Sequence, residues 1–125
     1  MYLSVIEMEK ILNKEKDLYK KIYDLEVEKS DAIFNKDGKQ IESISILQEE
    51  YLNDISKLEA RRLEEINSYI KKNNLNDLPQ HITLKDVITA MDEDSSHHLM
   101  RIGLELKTII TNLKSVKDTN ETLLN

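Results

Sequence analysis

Apolar residues recur three and then four positions apart along the C-terminal stretch of this chain: Leu99, Ile102, Leu106, Ile109, Leu113, Val116, Asn120, Leu123. That alternation averages about 3.5 residues, close to one helical turn, so these side chains form one narrow face of an α-helix built to meet another helix. Only two Gly and one Pro occur in 125 residues, which leaves long helices uninterrupted. A seam of this kind buries surface and holds partners; by itself it performs no chemistry. The pattern predicts an all-α binding protein.

Composition narrows the class further. The chain is 34% charged, 39% hydrophobic and 5% aromatic, which suits thin, elongated helices around a modest core better than an enzyme enclosing a deep pocket. A length of 125 residues fits one domain. Eighteen Lys and Arg against 24 Asp and Glu give a net charge of −6, the wrong sign for a nucleic-acid partner. No apolar run approaches the roughly 20 residues that span a bilayer. The start, Met1 to Lys10, lacks a basic segment followed by an apolar one, so no signal peptide is expected and a cytoplasmic location is the simplest. With no Cys, the chain has neither disulfides nor thiol chemistry.

Three long helices are predicted within a single helical domain, 1–125. The first covers 3–34, with the seam Met8, Ile11, Glu15, Leu18, Ile22, Leu25, Lys29, Ala32. Asn35-Lys36-Asp37-Gly38 breaks the pattern, and Asp37 with Gln40 three residues on has the spacing of a capping box. The second helix, 38–72, turns Ile41, Ile44, Tyr51, Ile55, Leu58, Ile66 and Tyr69 inward, with Gln48 and Arg62 in the same stripe. So short a break makes the two an antiparallel, coiled-coil-like hairpin with its own caps, separable from the rest. Residues 73–83, rich in Asn and carrying Pro79, read as a linker, and 84–91 as a short connecting helix opened by Thr83. The third long helix, 95–124, is expected to pack along the hairpin after the acidic stretch Asp92 to Asp94, whose charge suits a helix N-terminus.

Candidate chemical sites are few. Glu93–His97 and Asp94–His98 have the four-residue spacing of helical metal ligands, but adjacent histidines point about 100° apart and a solvated helix start explains them better. His97-His98-Leu99-Met100-Arg101 shares a His and a Leu with the His-x-Leu-Lys-Gly stretch of phosphotransfer domains. It lacks the Lys-Gly, and Arg101 would obstruct a partner's approach. Arg62 at a seam position could pair with Glu15 or another core-edge carboxylate, although a snorkelling side chain is the simpler expectation. Asn120, also in a seam, either sets helix register or sits near a frayed end. Paired carboxylates such as Glu49-Glu50 lie on solvated faces with no pocket to shift a pKa, so no enzyme, metal or cofactor is expected.

Read in order, these pieces resemble the FlgN family of flagellar export chaperones. The resemblance rests on Glu15 and Leu18, the break at Asp37, Leu58-Glu59-Ala60-Arg61-Arg62, Thr83-Leu84, and the ending Asn120-Glu121-Thr122-Leu123-Leu124. It implies a cytoplasmic chaperone that holds hook-associated proteins by their terminal helices and passes them to the type III export apparatus. By position, the client-binding region corresponds to Leu99 through Leu124. Family members usually continue past this ending, so a chain stopping at Asn125 would lack part of the client-binding tail.

The residues of the last helix are compatible with that role. Ile110 and Leu124 lie beside its seam, and Met100 and Leu104 on the far side, more apolar surface than one interface requires. A spare strip can accept an amphipathic helix. The candidate protein-binding set is therefore Met100, Leu104, Ile110, Leu113, Lys117, Asn120, Leu123 and Leu124. The alternatives are a structural coiled-coil adaptor that self-associates and, with less support, a histidine phosphotransfer domain.

Overall fold

A computed structural model describes residues 2–72 and 93–124, and apart from the turn at 35–37 these are α-helical. The described residues form three long helices: α1, Tyr2–Phe34; α2, Gly38–Lys72; and α3, Glu93–Leu124. At about 1.5 Å per residue each is close to 50 Å long. The expected linker at 73–83 and the expected short helix at 84–91 lie outside the described residues.

The junction between α1 and α2 is fixed by backbone hydrogen bonds. Asp37 N–H donates to Ala32 C=O (2.9 Å) and Lys36 N–H to Ile33 C=O (3.1 Å), the paired bonds of a Schellman motif. Lys36 takes the left-handed conformation this motif requires, with φ of 55°, where glycine is the usual occupant. Asp37 then caps α2, its Oδ1 accepting from Gln40 N–H at 3.1 Å. The reciprocal half of a capping box cannot form, because the Asp37 N–H is already given to Ala32. One residue thus closes one helix and opens the next.

Helix α1 lies between the other two. Its first seam meets α2, and the sequence separations of paired residues fall from 54 (Glu7–Arg61) to 47 (Glu15–Arg62) to 19 (Lys29–Gln48), so α2 runs antiparallel to it. Pairs with α3 keep a constant separation, 89 for Lys16–Glu105 and 90 for Ser30–Asn120, so α3 runs parallel to α1. Among the described residues, α2 and α3 have no Cα atoms within 8 Å of each other. Each packs on α1 alone.

A central helix needs a second seam, and α1 has one, a single residue out of phase with the first: Glu9, Leu12, Lys16, Tyr19, Tyr23, Glu26, Ser30, Ile33. All eight are buried or half-buried. Leu12 is fully buried although it stands outside the stripe legible in the sequence. The rest of the core comprises Met8, Ile11, Ile22 and Ala32 of α1, Ile44, Ile55, Leu58 and Ile66 of α2, and Leu99, Ile102 and Leu106 of α3.

Candidate protein-binding surface on the third long helix

The eight candidate residues fall into three environments. Met100, Leu104, Ile110, Leu123 and Leu124 are exposed, between 38% and 61%, and Lys117 is exposed with them. Leu113 is half-buried in the seam toward α1. Asn120 is only 1% exposed and lies inside the bundle. Its side chain is fully engaged there, so it is not part of the outward strip.

Asn120 belongs to a polar cluster that ties all three helices together near the α1–α2 turn. Its Nδ2 donates to the Glu26 backbone carbonyl at 2.9 Å and to Glu26 Oε2 at 2.8 Å, and its Oδ1 accepts from Ser30 Oγ at 2.7 Å. The other Glu26 oxygen accepts from Gln48 Nε2 at 3.0 Å, and Gln48 also donates to Ile22 C=O. Lys29 Nζ donates to Gln48 Oε1 at 2.7 Å and stands 3.7 Å from Glu26. Both amide side chains and both carboxylate oxygens have partners, which a buried polar network needs if it is not to destabilise the fold.

A second buried carboxylate sits nearer the N-terminus of α1. Arg62 Nη1 reaches Glu15 Oε2 at 3.0 Å, so Arg62 is a specific ion-pair partner rather than a snorkelling side chain. Glu15 Oε1 has no hydrogen-bond partner among the described residues. Burial pushes the Glu15 carboxyl above the ordinary value, Arg62 opposes that shift, and nearby Glu59 adds to it. Burial likewise raises the Tyr19 phenol, with Glu59 and Glu15 reinforcing it. On the opposite flank of α1 the ties are exposed: Lys16 Nζ to Glu105 at 2.7 Å, which lowers the Glu105 carboxyl, and His98 Nε2 to Glu9 at 2.9 Å.

Among the described residues, His97 and His98 form no reactive arrangement. His97 is exposed, while His98 contacts Glu9 and lies 3.4 Å from the Arg101 guanidinium. Among the described residues, no group of three or more His, Cys, Asp or Glu is placed to hold a metal ion. No described helix is long and apolar enough to cross a membrane. What remains is surface: apolar residues on α3 that its own packing leaves in water.

A protein-family model described as FlgN protein matches residues 1–125, the whole chain. The chain belongs to the FlgN family. That membership supports a flagellum-associated, chaperone-type role. No curated protein and no solved structure matches it. In this FlgN-family chain the Asn-x-x-Leu-Leu ending divides physically: Asn120 points inward and fastens α3 to α1, whereas Leu123 and Leu124 are exposed at 61% and 54%. Sequence spacing placed Asn120 correctly in the seam. It could not reveal that the partner is a carboxylate on another helix.

Proposed function

We propose that this chain is a cytoplasmic export chaperone that binds and shields hook-associated flagellar subunits before secretion, docking their terminal helices against α3 without using nucleotide energy. The observation that carries this reading is the FlgN match over residues 1–125. The exposed apolar residues of α3 supply the physical means, because an amphipathic client helix removes both its own apolar stripe and these side chains from water. From there the client would pass to the type III export apparatus.

Titration calorimetry and co-elution with a hook-associated protein test the proposal. A 1:1 complex is expected, and Ile110→Asp or Leu124→Asp should weaken it at least about tenfold while helicity is kept. The new carboxylate must be desolvated without a partner when the client docks. An obligate dimer with no affinity for such clients would favour the adaptor alternative. Phosphate transfer to His97 or His98 would favour the phosphotransfer alternative.

A further inference from the structure

On α1, a seam shifted by one residue from the first holds a second helix, even though half its members are polar or charged. The same shift on α3 gives Met100, Gly103, Lys107, Ile110, Lys114, Lys117, Glu121 and Leu124, and no described helix covers it. All are exposed except the half-buried Gly103. Lys107, Lys114 and Lys117 form no ion pair among the described residues, unlike Lys16, Lys29, Arg61 and Arg62. In a chain of net charge −6 this edge is basic and apolar.

The edge faces a particular direction. The contacts Lys16–Glu105 and Glu9–His98 fasten the opposite edge of α3 to the outer flank of α1, which leaves Ile110 and Lys117 on the side toward α2. Helix α2 turns its own shifted seam the same way, since the Arg61–Glu7 ion pair fastens its opposite edge to the far flank of α1. That seam is acidic and apolar: Glu42, Glu49 and Leu52 are exposed along its half near the turn. Among the described residues, two helices that both pack on a third and avoid each other, with shifted seams converging, leave the fourth position of a four-helix bundle. Antiparallel α2 and parallel α3 bring Leu52 and Ile110 to similar heights on its two walls.

Resting on the chaperone reading above, we propose that the groove between α2 and α3 takes a partner's amphipathic helix as a fourth bundle member, selecting one with a basic edge to meet Glu42 and Glu49 and an acidic edge to meet Lys114 and Lys117. The apolar stripe of the incoming helix lies on Leu52, Ile110 and Leu124. The walls carry opposite charge, so a helix with like charge on both edges is repelled by one of them. Charge pattern, more than apolar area, then sets which helices are accepted.

The probe is a labelled amphipathic peptide of about 20 residues, long enough to form a helix, made with a constant Leu stripe and four edge patterns: basic–acidic, both acidic, both basic, both neutral. Fluorescence anisotropy at low and high salt should show the mixed-edge peptide binding about tenfold tighter than the neutral one at low salt, an advantage lost as salt screens it. Lys114→Glu with Lys117→Glu should transfer the preference to the peptide basic on both edges, with helicity unchanged. Equal affinity for all four peptides, or no response to the double reversal, overturns the proposal. So does sedimentation showing a dimer abolished by the reversal, which would make a second copy the occupant, or binding of anionic lipid vesicles in place of the peptides. Leu52→Asp, on the α2 wall alone, separates this groove from the chaperone reading itself. If a hook-associated protein still binds that variant, the groove is wrong and the chaperone stands; if it fails to bind the unaltered chain, the chaperone reading falls.

Discussion

The Asn120 side-chain amide donates to both the backbone carbonyl and the carboxylate of Glu26, 94 residues earlier in the chain. This contact resolves an ambiguity in the α3 seam. Leu99, Leu106 and Leu113 occupy equivalent positions seven residues apart, so apolar packing alone distinguishes poorly between registers offset by one heptad. Asn120 is the one polar member of that series, and at a single height on α1 Glu26 accepts from its amide while the Ser30 hydroxyl donates to its oxygen.

Replacing Asn120 with Leu should therefore destabilise the protein by about 1–3 kcal/mol, since one buried oxygen of Glu26 and the Ser30 hydroxyl lose a partner while the apolar gain is small. Urea unfolding followed by circular dichroism measures the change. Changing Glu26 to Leu at the same time should recover part of the loss, because no under-paired carboxylate is then buried and Gln48 keeps Lys29 and the Ile22 carbonyl as partners. Equal stability of the Asn120→Leu variant and the parent chain would show that the cluster has no energetic role.

The turn offers an opposite pair of effects. Lys36 holds a left-handed conformation that costs a residue with a β-carbon roughly 1 kcal/mol, so Lys36→Gly should raise stability by about that amount. Asp37→Ala removes the acceptor for Gln40 N–H and should lower stability by about 1 kcal/mol. Both shifts can be read from thermal midpoints, and a loss on Lys36→Gly would contradict the capping geometry.

Glu15 gives the stability a pH dependence of known sign. Its folded-state carboxyl is raised above 4.5, mainly by burial, so its contribution is fully present below the unfolded value and is lost as pH rises through the folded one. Glu15→Gln should consequently be more stable than the parent chain near neutral pH, with the difference shrinking as pH falls toward 4.5. Unfolding curves across that range decide it. A variant less stable at neutral pH would mean that the Arg62 pairing outweighs desolvation.

Residues 1–72 alone should form a weaker unit than the capped hairpin suggests. Without α3 the whole second seam of α1 is uncovered, including the fully buried Leu12 and one side of Glu26. Helicity should persist in part, with a lower and broader thermal transition than the complete chain shows. An unchanged, cooperative transition would indicate that α3 contributes little to the core.

Three long helices and the break at Asp37 were legible in the sequence because each is a local matter. Helical period, turn chemistry and residue type act within a few positions of the chain. The family resemblance was legible for the same reason, since it rests on residues met in order. Less could be read of the candidate site: the exposed members, Met100, Leu104, Ile110, Leu123 and Leu124, follow from lying off the seam, but Asn120 was grouped with them although its side chain is internal.

The sequence by itself determined where helices form, since a stripe of apolar residues every 3.5 positions on average has one local solution. It did not determine which helix stands in the middle. Leu12, Tyr19 and Glu26 form a second seam whose mixed polarity resembles a solvated face, and only the approach of α3, with Asn120 and Glu105 meeting Glu26 and Lys16, turns it into an interface. A charged residue is buried or exposed according to whether a distant part of the chain brings a partner for it. That is a property of the assembled bundle, set by pairs about 90 residues apart.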